Sequence, residues 1–164
     1  MPGDGFLEPA AWHASLAGAI VTAGALVGDG AGRIMVVKPN YRDHWTLPGG
    51  ICEFAEAPHA GCAREVTEEL GLSLPVGSLL SVDWQLSSAE YGPDARPVMY
   101  FIFDCGVLPS APPVCLQAEE LDEWRFATEA ELDGLLAPFA VARVAAAMHA
   151  LASGGIRYVP QRAD

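Results

Sequence analysis

Three carboxylates crowd one short stretch of the chain: Glu65, Glu68 and Glu69. The stretch, Ala57 to Leu70, has the local marks of a helix. Pro58 stands where a first-turn proline is tolerated, and Gly71 stands where a left-handed cap is expected. On a helix the three glutamates cover an arc of about 100°. Cys62, Val66 and Leu70 fall on an adjoining apolar stripe. One edge of the packing face therefore carries three acids, whose mutual repulsion costs about a few tenths of a kcal/mol per pair. Arg64, four residues before Glu68, offsets part of it. A folded chain that keeps such a cluster commonly gives it a cation. Oxygen-only ligands suit Mg²⁺, with Mn²⁺ as the substitute. A solvated acidic helix face would carry the same residues, so the helix alone leaves both readings open.

Composition narrows the setting. The chain has 164 residues, 51% hydrophobic and 18% charged, which excludes disorder and fits one domain. Its net charge of −12 repels a polyphosphate backbone, so a DNA- or RNA-coating role is excluded. A small phosphorylated ligand escorted by a divalent cation is compatible with that charge. The four cysteines, Cys52, Cys62, Cys105 and Cys115, form no CxxC pair. They read as reduced thiols of a cytoplasmic protein, with Cys62 a small apolar residue on a helix face. The apolar stretch from Ala10 to Gly28 follows Asp4 and Glu8 without a basic residue, and His13 and Ser15 interrupt it. It reads as neither signal peptide nor membrane span.

The elements that must hold the carboxylates follow from pattern. Glu8 to Ala17 reads as a short helix; Ile20 to Val27 and Arg33 to Val37 read as strands around a glycine-rich turn. Pro39 to Trp45 is expected to be a loop, and Leu47 to Gly50 a sharp turn. Further strands are expected at Leu79 to Leu86, Val98 to Val107 and Glu123 to Ala127. Thr128 and Glu131 have the spacing of a capping box. A last helix is expected over Val141 to Leu151, with Val141, Val144, Ala145 and Met148 on its apolar face. Mixed strands with a few helices imply a mixed α/β class.

The context of the glutamates is specific. Gly50 is followed after five residues by Glu56. After seven more comes Arg64-Glu65-Val66-Thr67-Glu68-Glu69-Leu70-Gly71-Leu72. This run resembles the Nudix box at every specified position. The flanks, Trp45 to Gly50 upstream and Glu123 to Phe126 downstream, are similar to Nudix proteins as well. The resemblance implies an α/β/α sandwich, a mixed β-sheet between helices. It also implies hydrolysis of a diphosphate linked to another moiety, with Mg²⁺ or Mn²⁺ as cofactor. Carried over residue by residue, it makes Glu65 and Glu69 metal ligands and Glu68 a ligand or the general base. The Gly49 carbonyl adds a further ligand, Arg64 orients Glu68, and Glu56 braces the loop against the helix. Glu119 and Glu120 are the candidates for a carboxylate from a later loop. The expected organisation is an N-terminal extension (1–14), the domain (15–155) and a C-terminal tail (156–164).

The substrate is less legible. Tyr41, Trp45 and Tyr91 are candidates to stack a base, as are the more core-like Trp84 and Trp124; Arg42 and Arg96 are candidates for phosphate, with Glu120 beside them. Ser88 stands where ADP-ribose hydrolases of the family carry proline, and Tyr91 falls slightly late for the tyrosine of dinucleoside polyphosphate hydrolases. What remains is a nucleoside triphosphate, oxidised forms included, or a nucleotide conjugate. The alternative is a catalytically silent module that binds a nucleotide or sugar. Expected partners are the small phosphorylated substrate and a second copy of the chain in a homodimer, with no nucleic-acid polymer and no membrane. Lys38 is the only lysine, among many Ala and Arg, which fits a GC-rich bacterial genome.

Overall fold

Strands β1 (Ile20–Gly28) and β2 (Ile34–Pro39) are apolar at successive positions. Such strands need cover on both faces, and this computed structural model provides it. Residues 8–86, 92, 95–109 and 112–160 are described. Along β1 and β2, Ala23, Ala25, Val27, Met35 and Val37 point into one core. Leu26, Ile34 and Val36 point into a second core on the other face.

The first core is closed by helix α2 (Pro58–Leu70) through Cys62, Val66 and Leu70. The expected apolar stripe is therefore the buried face, and Cys62 lies in it. Its Sγ is 3.9 Å from that of Cys105, and all four cysteines are free. The second core is closed by α3 (Glu129–Leu135) and α4 (Pro138–Ser153) through Leu132, Val144, Ala147 and Ala150. A short helix, α1 (Pro9–Ser15), precedes β1. Among the described residues no helix is long and apolar enough to cross a membrane.

The remaining strands are β3 (Gly49–Ile51), β4 (Leu79–Gln85), β5 (Val98–Val107), β6 (Leu121–Ala127) and β7 (Arg157–Pro160). The sheet runs β6-β2-β1-β5-β4-β7, with β3 paired to β1. β1/β5 and β4/β7 are parallel; the other pairs are antiparallel. This is the expected mixed sheet between helices.

Three local expectations are corrected. The segment Leu47 to Gly50 does not end as a free turn, because Gly49, Gly50 and Ile51 pair with Gly24, Ala23 and Thr22 of β1. In the segment read as a tail, Arg157–Pro160 adds a strand beside β4. On α4, Val144 is buried and Val141 and Met148 pack against the second core as expected, but the fully buried positions also include Arg143, Ala147 and Ala150, which the expected stripe left out. Arg143 turns inward because Asp83 of β4 waits there, 2.8 Å from its Nη2.

Candidate active site

Helix α2 starts on Pro58 and ends on Gly71 in the left-handed conformation. Its Glu65 and Glu69 face the β3 segment, where the backbone is shaped to receive them, and Glu68 lines the same cleft. Gly49 has φ +137°, and a Cβ on it would lie 2.1 Å from the Ala23 carbonyl oxygen. A Cβ on Gly50 would lie 2.6 Å from the Glu65 carboxylate. Only glycine lets this strand lie flat on β1 and lets a carboxylate rest against it.

The three glutamates differ in environment. Glu69 is 6% exposed, and its Oε2 accepts the Gly49 N–H at 2.7 Å. Burial pushes its carboxyl up to about 8, against that hydrogen bond, and the charges of Glu65, Glu120 and Glu68 add to the rise. Burial also raises Glu65, with Arg64 opposing. The Glu68 side chain is 50% exposed.

Arg64 organises the group. Its Nε and Nη2 donate to Glu56 Oε1 and Oε2, both at 3.0 Å, and Nη2 donates to the Ile51 carbonyl at 3.1 Å. Nη1 reaches Glu65 Oε1 at 3.0 Å and Glu68 Oε2 at 2.8 Å. Glu56 also accepts the Glu53 N–H at 2.8 Å. Its hydrogen bonds from Arg64 hold its carboxyl below the usual range, and the same carboxylate raises the Arg64 guanidinium. One arginine thus ties the loop after β3 to the helix and aims two of its acids.

A second loop is tied to the same helix. Gln117 N–H donates to the Glu69 carbonyl and Cys115 N–H to the Leu70 carbonyl. Asn40 binds this loop from the other side, through its N–H to the Glu120 carbonyl and its Nδ2 to the Glu119 carbonyl. These bonds hold Glu120 at the margin of a cleft of about 780 Å³, which Glu65, Glu68 and Glu69 also line. Among the described residues, no three carboxylate, histidine or cysteine side chains already converge as a metal cage. Glu65 and Glu68 are held by Arg64 instead.

The model of the NUDIX domain matches residues 19–149. The chain belongs to the NUDIX domain family. A MutT-like protein from Streptomyces ambofaciens is 34% identical over 74 residues, 45% of this chain and 43% of the relative. The match thus spans less than half the length of that relative. Two solved structures share the fold. The MutT protein from Methanosarcina mazei Go1 has TM-score 0.63 and 24% identity, over 82% of this chain and 94% of that one. A UDP-X diphosphatase has TM-score 0.70 and 18% identity, over 94% and 76%.

In this NUDIX domain the remaining expected site residues fall unevenly. Tyr41, Arg42 and Arg96 line the cleft, with the Arg42 guanidinium 4.9 Å from the Tyr41 ring centre. Glu120 lines it and Glu119 does not. Trp45 is corrected: it packs against the core under α3, its N–H bonded to the Leu135 carbonyl, with Arg125 over its ring. Trp124 packs edge-on to Phe126 against the first core. Tyr91 and Ser88 lie outside the described residues.

The cleft also takes residues that the sequence reading passed over: Gln85, Tyr100, Phe139 and Arg143. Arg143 is 5% exposed and pairs with a 7% exposed Asp83. Burial pushes both towards their neutral forms, Asp83 up and Arg143 down, while their attraction opposes it. A signal was present in the chain. Asp83 is the lone acid of an apolar strand, and Arg143 is the lone cation of an alanine- and valine-rich helix.

Proposed function

We propose that the chain is a metal-dependent hydrolase. Its reaction is cleavage of the diphosphate linkage of a nucleoside diphosphate derivative, a nucleoside triphosphate (oxidised or not) or a nucleotide conjugate. The observation that carries this reading is Glu69. It is a buried carboxylate with no cationic partner among the described residues, flanked by Glu65, Glu68 and Glu120 on the wall of an open cleft. An unneutralised carboxylate at that depth is costly unless it keeps a proton or gains a cation.

The donor set fits a hard divalent ion, since every candidate ligand is oxygen. Glu65, Glu69 and the Gly49 carbonyl would hold Mg²⁺ or Mn²⁺, with Glu68 as a further ligand or as the base. The bound ion supplies neutralisation of the diphosphate oxygens and a lowered pKa for the attacking water. The chain's own groups do the rest. Glu68 is the most exposed of the three acids, which suits it to accept the proton of that water. Arg64 sets the direction of Glu68 and Glu65. Arg42 and Tyr41 lie on the cleft wall, where the substrate's phosphate and planar parts would rest.

A phosphate-release assay tests the reading. Nucleoside triphosphates, nucleotide sugars, ADP-ribose and dinucleoside polyphosphates are offered with Mg²⁺ and then Mn²⁺, beside Glu68→Gln. The expected outcome is turnover that drops by about 10²–10⁴-fold in the variant with the fold retained. Silence of the wild type across the panel would leave a nucleotide- or sugar-binding module.

A further inference from the structure

The cleft has a second polar wall, built by β4, β5 and α4, that the chemistry of the carboxylates does not use. Arg143 sits in it between two rings, 4.3 Å from the Tyr100 ring centre and 5.3 Å from that of Phe139. Its Nη2 donates to Gln85 Oε1 at 2.7 Å and forms an ion pair with Asp83 Oδ2 at 2.8 Å. Its Nε is buried and has no partner among the described residues. An unpaired buried donor is costly, and it marks a place where something else is expected to bind.

Two consequences follow from these contacts. First, Asp83 neutralises the guanidinium, so this wall attracts no phosphate; it reads a ligand by hydrogen bonding. Second, Arg143 takes the carbonyl end of Gln85. The amide end left over is its NH₂, which only donates. The groups that Gln85 and Arg143 leave unused are therefore donors, beside the 55% exposed ring of Phe139. A flat ring beside donors suits a planar heterocycle that carries acceptors.

We propose that Gln85, Arg143 and Phe139 form a base-selecting subsite for a heterocycle with two adjacent acceptors. Guanine offers N7 and O6, and cytosine offers N3 and O2. Adenine and uracil place a donor next to each acceptor on the corresponding edges and leave one protein donor unpaired. An 8-oxidised guanine carries N–H at position 7 and loses the match as well. The nucleotide nature of the ligand rests on the hydrolase reading above; the selection does not.

The test is isothermal titration of GMP, 7-deaza-GMP, CMP, UMP and AMP in Mg²⁺ with the wild type, Gln85→Leu and Arg143→Lys. The wild type should favour one acceptor-pair base by at least about tenfold, the size of one good two-point contact. Preference for GMP over 7-deaza-GMP assigns guanine; preference for CMP over UMP assigns cytosine. Gln85→Leu keeps the Arg143–Asp83 pair and should erase the preference, as should Arg143→Lys, which keeps the charge. Equal affinities in the wild type, binding of none of the five, or a preference that survives both substitutions overturns the subsite. The wild-type comparison needs no variant to fold. Turnover is scored separately. Base-selective binding without hydrolysis of any triphosphate or conjugate would defeat the hydrolase reading and leave the subsite. Hydrolysis without base selection would do the reverse.

Discussion

Glu69 is the residue whose surroundings demand most explanation. Its carboxyl stays protonated up to about pH 8 in the metal-free protein, against an ordinary value of 4.5. Between these values the folded state holds a proton that the unfolded state has released. Stability of the metal-free protein therefore falls as pH rises through that window. A divalent cation must displace the proton, so its affinity should rise by up to about tenfold per pH unit below 8. Thermal melts with and without Mg²⁺ check this: the rise in Tm on adding the ion should be larger at pH 8 than at pH 6. Glu69→Gln should abolish the difference between the two pH values. An equal Mg²⁺ effect at both in the wild type would count against Glu69 as the buried ligand.

At the scale of elements, the site is a joint between α2 and the β3 segment. Glu56 and Arg64 make that joint through two parallel hydrogen bonds, and Glu56 also pins the Glu53 N–H. Glu56→Gln should loosen the aim of Arg64 on Glu65 and Glu68 and lower kcat by roughly tenfold or more, as small displacements of reacting groups do. The pH dependence has a definite sign. The folded carboxyl lies below its ordinary value, so its contribution is present above the ordinary value and is lost as pH falls from there through the lowered one. The Tm gap between wild type and Glu56→Gln should close in acid. Gly49 is the other half of the joint. Gly49→Ala would drive a methyl group into the Ala23 carbonyl and should separate β3 from β1. Loss of soluble, folded protein, read by circular dichroism, is the expected result.

For the molecule as a whole, the Arg143–Asp83 pair links the second core to the cleft. It spans α4 and β4 and lies almost fully out of water. Removing one partner strands the other's charge, which typically costs about 3–5 kcal/mol. Asp83→Ala should lower Tm by on the order of 10 °C. The loss should exceed that of Glu131→Ala, because Glu131 pairs with Arg125 at the surface at 3.5 Å. Differential scanning calorimetry of the two variants decides it.

Local chemistry was legible in the chain. Helix α2, its proline start, glycine end and buried stripe follow from residues a turn apart, and so does the grouping of the three glutamates. The apolar runs of β1, β2 and β5 announce a sheet buried on both faces. The spacing from Gly50 to Leu72 carries the family. Tertiary structure decided what depends on contacts between distant segments. It drew Gly49–Ile51 into the sheet, because a strand needs a partner and β1 supplies one about 25 residues away. It set Glu120, and not Glu119, on the cleft lining, in a loop tied to α2 and to Asn40. It set Trp45, half-buried, against the second core and away from the cleft lining. It turned Arg143 inward, against the apolar pattern of its own helix, because the one acid able to meet it stands on β4. Periodicity reports which face of a helix is greasy; it cannot report which buried charge has a partner waiting across the core.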